Sequence, residues 1–389
     1  MPRTKILAFC LRKIPSAIVG VSSPLILLQN RGTVEYRFKE TLNVDKKDIA
    51  WADVIISIRG CENLELDIMK EGGRLGKKLL YFLDDDLLNI PQNTASTLYF
   101  SMPHIRSNII EILKLSNYLW TTNKNIANKY GHYSDSSVII NAPSVLLESI
   151  SSLPMQSNNN QIVIGFSGSM DHGFFLNDFF QKVAFNILDL FPNVSFEFFG
   201  AKPDFCDHER IHHLTYADNY DDYIEIMRTR KWDIGLAPLP SSDFHKCKYF
   251  NKYLEYGAIG VPGIYSNVEP YVFIVENGKN GVLVNNFTDE WVTAIKNLIE
   301  DNMLRRKIIE ESRIRLENHF TLDKIADEIV SKLPVLRSYH APYCLEKDVK
   351  LRKEPQNLYI FKIVQIFRTF GIKGFFIILK KIFKKLYSK

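Results

Sequence analysis

Short apolar runs alternate with helix-length segments along this chain, and the alternation happens twice. Residues 4–10 (TKILAFC), 53–58 (DVIISI) and 78–83 (KLLYFL) are each continuous, β-branched or aromatic, and bounded by polar residues or glycine. That is the pattern of strands covered on both faces. Helices are expected over 62–76 and about 105–115, and YLWTTN and SSVIIN supply further strand candidates. SSLPMQSNNNQ, 151–161, then breaks the pattern with a proline and three consecutive asparagines, and reads as a linker. The alternation restarts directly after it. Strands are expected at 162–167, 194–199, 211–214, 233–237 and 263–266, helices near 175–190, 219–230 and 248–258, and a run of helices from 288 to about 335. Parallel strands need long crossovers, usually helical. The expectation is therefore an α/β fold of two Rossmann-like domains facing a central cleft. The domains span 1–157 and 158–340, and a crossover segment and basic amphipathic helices occupy 341–389. Such sheets bind ligands at the carboxyl ends of their strands and at domain junctions.

A chain of 389 residues, 46% hydrophobic, can bury two cores. Its five cysteines are scattered without CxxC spacing, which implies a reducing compartment and no structural zinc. Arg12 and Lys13 interrupt the first apolar run, arguing against a secretory signal. No stretch reaches the roughly 18 apolar residues of a membrane span. The net charge of +5 is unevenly placed, because residues 351–389 hold ten Lys/Arg and one acid, Glu354. The rest of the chain is net acidic and shows no recognition module, so nucleic acid is not an expected partner. Over 358–389, Leu358, Phe361, Val364, Phe367, Phe375, Ile378, Leu379, Ile382 and Leu386 recur at helical spacing, and lysines fill the other face of the second half. A basic amphipathic helix of this kind suits an anionic membrane interface; packing on the body is the alternative. The expected location is cytoplasmic, peripheral on the inner face of the cell membrane.

CKYFNKYLEYGAIGVPGIYS, 247–266, carries the sharpest chemistry. On a helical wheel Lys248, Asn251, Lys252 and Glu255 fall within about a 100° arc. A solvated face with a salt bridge is the plain alternative, but a helical pair is worth only ~0.2–0.5 kcal/mol, and Lys before Glu is the weaker order. A lysine in the first turn also faces the positive end of the helix dipole. An anion there reverses the sign, so free N–H groups and the lysines together suit a phosphate. Glu255, further along, suits sugar hydroxyls.

The stretch KYFNKYLEYGAIGVPGIYSNVEPYVFIVENGKNGVLVNN resembles the nucleotide-sugar half of GT-B glycosyltransferases of the family 1/family 4 group. It has K-x3-K-x-L-E-Y, then the Gly-Val-Pro turn, then N-G-x-L-V, and the likeness runs over about 160–335. The resemblance implies transfer of a sugar from a nucleotide diphosphate sugar to a lipid-linked or cell-surface polysaccharide acceptor, with retention of configuration. No metal and no cofactor beyond the co-substrate are implied. It puts Lys248 and Lys252 on the diphosphate and Glu255 on the ribose. The glycine loop residues Gly168, Ser169, Asp171 and His172 fall near phosphate and sugar, and Pro238 and Leu239 against the base. The group's E-x7-E pair is incomplete, since its first position falls on Cys247. In FLDDDLLNIP, 82–91, three carboxylates follow a buried strand. Asp85 is taken as a catalytic carboxylate, and Asp84 and Asp86, with Arg59 after DVIISI, as the acceptor side. A divalent metal on the diphosphate and helix capping are the other readings of the triplet. A nucleotide-sugar epimerase of the same fold is an alternative function. So is a non-catalytic subunit of a glycosylation complex, which the cysteine at 247 suggests.

Overall fold

The computed structural model describes residues 2–92, 96–148, 161–168, 175–217, 219–352 and 354–370. The expected linker lies outside them except for Gln161. Among these residues β1 (Thr4–Cys10), β2 (Val34–Glu40), β3 (Val54–Ile58), β4 (Lys78–Phe82), β5 (Tyr118–Thr121) and β6 (Ser136–Ile139) form one parallel sheet, ordered β2-β1-β3-β4-β5-β6. A second parallel sheet holds β7 (Ile162–Gly168), β8 (Val194–Gly200), β9 (Ile211–Leu214), β10 (Ile234–Ala237), β11 (Gly263–Ser266) and β12 (Val282–Val284), ordered β12-β11-β10-β7-β8-β9. Counted from its own first strand, the second sheet has the doubly wound order 3-2-1-4-5-6.

The helices that cover the first sheet include α1 (Ser23–Asn30), α2 (Asn63–Arg74), α3 (Pro103–Leu115) and α4 (Lys124–Tyr130). The second carries α5 (Gln181–Leu190), α6 (Tyr220–Thr229), α7 (Asn251–Ala258), α8 (Thr288–Glu300) and α9 (Asn302–His319). In β1, Leu7 and Phe9 belong to one core, with Ile109 and Ile112 of α3, while Ile6, Ala8 and Cys10 belong to another, with Leu25 and Leu28 of α1. A strand covered on both faces must be apolar throughout, and this is why the runs in the sequence are unbroken. Close packing continues at Gly165 of β7, where an added Cβ would stand 1.8 Å from a Trp232 ring atom.

The chain returns to the first domain earlier than the expected position 341. In α10 (Leu322–Lys332), Ile325, Ala326 and Ile329 join the core of β1 and α1, and Arg31 pairs with Asp323 and Asp327. In α11 (Leu358–Phe370), Phe361 is buried against the first core and Asn63 donates to Gln365 at 2.8 Å, while Tyr359, Ile360 and Ile363 stay exposed. The start of the tail is thus packed on the body along one face only. Its basic half, 371–389, lies outside the described residues. No described helix is long and apolar enough to cross a membrane.

Candidate active site

The strand order of the first sheet reverses between β1 and β3, and that of the second between β7 and β10. The residues that follow β1 and β7 meet. Lys13, Ile14, Pro15 and Ile18 form one wall of a cavity of about 480 Å³. Ser167 and Gly168, Phe199 and Gly200, Tyr220 and Tyr223, and Asn251, Lys252 and Glu255 form the other walls. A gap of about 90 Å³ shares Pro15, Tyr220, Asn251 and Glu255 with it and reaches Asp84 and Thr122. Gly200 has a φ of +88°, and a Cβ there would stand 2.4 Å from the Gly168 carbonyl oxygen, so only glycine lets these two strand ends close up.

The helix of the 247–266 stretch begins at Asn251, not at 248. A 3₁₀ turn, His245–Cys247, precedes it and leaves Lys248 extended, with φ −71° and ψ 155°. The dipole argument therefore fails for Lys248 and applies to Lys252, the lysine in the first turn of α7. Lys252 Nζ sits 5.2 Å from the centroid of the Phe166 ring and forms no ion pair among the described residues. Burial pulls its pKa down to about 8; Glu255 opposes this and Lys248 adds to it. For Glu255, burial pushes the pKa up, against Lys252 and hydrogen bonds from Tyr223 and Ser167. Behind them Phe199 and Tyr223 stack at 5.3 Å and Tyr220 and Tyr223 at 5.9 Å.

The carboxylate triplet splits three ways. Asp84 faces the small gap and accepts from Arg59 Nε. Asp85 turns to Lys248 Nζ at 2.9 Å and Arg59 Nη2 at 3.2 Å. Burial alone would raise the Asp85 pKa, but Lys248 and Arg59 outweigh it and hold it below the usual value. Burial likewise opposes the Arg59 charge, and Asp84 and Asp85 overcome it. Arg59 adopts a left-handed φ of 51°, a strained conformation for a long side chain. Asp86 is fully buried, paired with Lys129 at 2.7 Å and hydrogen-bonded by Tyr130 and Asn89. The acceptor-side expectation for Asp86 is thereby corrected, since its oxygens are spent on internal partners.

Cys247 is buried, with Sγ 3.4 Å from the Asp243 carbonyl oxygen and 3.9 Å from Asp86 Oδ2; burial and Asp86 push its thiol to about 11. Pro238 and Leu239 are buried and line neither cavity; the Leu239 N–H donates to Ser266 Oγ at 2.8 Å. The expectation that they pack against a base is replaced by a role in the core. Ser169, Asp171 and His172 lie outside the described residues, whereas Gly168 lines the larger cavity. No group of three potential metal ligands occurs among the described residues. Sequence reasoning did not single out Ser167 of β7 or Tyr220 and Tyr223 of α6, whereas Asn251 stands on the helical face it had marked. It also missed His245, bonded to Ser242 Oγ at 2.7 Å and lowered to about 4 by burial and Lys248.

Residues 252–315 match the family model for Glycosyl transferases group 1, a segment that opens on Lys252 and contains Glu255. Anabaena Alr3699/HepE, solved in complex with UDP and glucose, is similar at a TM-score of 0.60 and 15% identity, over 85% of this chain and 99% of that one. The protein has the GT-B fold. Sucrose-phosphate synthase from Thermosynechococcus elongatus shares it at a TM-score of 0.60 and 12% identity, over 85% and 98% of the two chains. An alpha-glucosyltransferase in complex with UDP and a DNA 13-mer does so at 0.61 and 13%, over 86% and 100%. No curated protein matches the chain significantly.

Proposed function

We propose that this GT-B protein transfers a glycosyl group from a nucleoside diphosphate sugar on its second domain to a lipid-linked or polysaccharide acceptor held against its first. The observation that carries this is Lys252 and Glu255, three residues apart on α7, lining a cavity walled by both domains. The diphosphate would lie at the start of α7, on free N–H groups and the Lys252 ammonium. As the bond between the sugar and the diphosphate oxygen breaks, those groups stabilise the leaving charge without a metal. Glu255 would accept hydrogen bonds from the ribose hydroxyls. Asp84, the one carboxylate of the triplet on the cavity wall, would receive the acceptor hydroxyl. Retention of configuration rests on the sequence resemblance. The basic tail would hold the cleft near an anionic membrane on its cytoplasmic side, each Lys or Arg adding about 1 kcal/mol.

The test is incubation of purified protein with radiolabelled UDP-, GDP- and ADP-sugars, with and without extracted lipid and polysaccharide acceptors. Label should move to an acceptor from one donor class, with or without a chelator. Isomerised donor in the absence of acceptor would favour an epimerase. Donor that binds but is never turned over would favour a non-catalytic subunit.

A further inference from the structure

The loop that precedes α7 belongs to the second domain by sequence, yet the first domain holds it. Asn123 caps α4 through Oδ1, and its Nδ2 donates to the carbonyl oxygens of Lys246 at 2.9 Å and Lys248 at 2.8 Å. Asn125 Nδ2 donates to Lys246 O at 2.9 Å and to Glu269 Oε2 at 2.6 Å. Lys129 spans Asp86 at 2.7 Å and the Asp243 carbonyl oxygen at 3.2 Å. At the centre stands the Lys248–Asp85 pair: Lys248 Nζ lies 2.9 Å from Oδ1 and donates to Oδ2 at 3.1 Å, and Arg59 Nη2 lies 3.2 Å from the same Oδ2. Lys248 lines neither cavity of the cleft, whereas Lys252, one turn on, lines the larger.

We infer that Lys248 and Asp85 form an interdomain latch, and that Lys248 is a positioning residue for the reaction and not a ligand of the donor's phosphates. What the latch positions rests on the proposed function. The physical case is that the backbone at 246 and 248 is fixed by first-domain side chains while α7 is fixed on the second sheet, so the register of the cleft walls is set between them. A half-buried pair braced by Arg59, with Asp85 the more enclosed partner, loses more when one partner goes than a fully exposed pair does, because the other is left uncompensated. The two cations of the K-x3-K pattern thus divide their work, Lys252 toward ligand and Lys248 toward domain register.

Four variants decide it: Asp85→Asn, Lys248→Met, the two combined, and Lys252→Ala. Each is measured for UDP and GDP affinity by calorimetry, for radius of gyration by small-angle scattering, and for kcat and KM with whichever donor the wild type turns over. Asp85→Asn and Lys248→Met should each leave nucleotide Kd within about threefold, and the double variant should be no worse than the worse single in scattering and turnover. kcat should fall about 100-fold, as expected when reacting groups are held about 1 Å out of place, and the radius of gyration should rise. Lys252→Ala should lose nucleotide binding with the radius unchanged. Loss of nucleotide binding in Lys248→Met equal to that in Lys252→Ala would overturn the latch. So would tighter binding in Asp85→Asn, or additive effects. A wild type that binds no nucleotide would defeat the functional proposal, while scattering and the double variant would still decide the latch.

Discussion

Lys252→Ala is expected to weaken nucleoside diphosphate binding about 10- to 150-fold, the equivalent of roughly 1.5–3 kcal/mol for a hydrogen bond to a charged group. The matching nucleoside, which has no phosphate, should bind wild type and variant alike. The lysine pKa of about 8 in the free protein adds a pH signature. Below that value the ammonium is already present. Above it a diphosphate must draw a proton onto the amine, so affinity should fall as pH rises past 8, with net proton uptake on binding. Calorimetry in two buffers of different ionisation enthalpy reads this directly. Stability should move the other way. The folded pKa lies below the ordinary lysine value, so the folded state carries a cost below pH 8 that is relieved as pH rises toward 10.5. Lys252→Met should therefore raise Tm at pH 7 while losing the nucleotide, a trade expected of a site kept unfavourable for its ligand. An unchanged Kd in Lys252→Ala would remove this lysine from the site.

Glu255→Ala should be of similar size, again about 10- to 150-fold by the same accounting for a charged acceptor, but with a different selectivity. The loss should appear for the ribonucleotide and vanish for its 2′,3′-dideoxy analogue, which lacks the hydroxyls that Glu255 would hold. Glu255 also receives hydrogen bonds from Tyr223 and Ser167, so its removal takes a partner from both hydroxyls and leaves them their mutual contact at 3.3 Å. Glu255→Gln keeps their partner and separates that structural effect from recognition. Equal losses for both ligands would mean that the carboxylate serves the wall and not the ribose.

The two sheets were legible because buried parallel strands must be apolar along their whole length, as in DVIISI and KLLYFL. β2 was not, because Val34–Glu40 is an edge strand whose Arg37, Lys39 and Glu40 reach solvent, and charges on an edge hide its period. Lys252 and Glu255 were legible because three residues on a helix set one face. Lys248 was misplaced because helical spacing carries no mark of where a helix starts. Only the 3₁₀ turn at His245–Cys247 shows that the frame shifts. The fates of Asp84, Asp85 and Asp86 could not be read at all. Three identical neighbours diverge through partners more than 20 residues away, Arg59, Lys248 and Lys129, and no local pattern encodes those contacts.

The most direct measurement is a crystal structure of the protein soaked with UDP or, if calorimetry selects it, GDP. The diphosphate should lie at the start of α7 within hydrogen-bond distance of Lys252 Nζ, and the ribose hydroxyls should reach Glu255, with the Lys248–Asp85 pair intact. A nucleotide held elsewhere, or a diphosphate on Lys248 with Lys252 still over Phe166, would contradict the assignment.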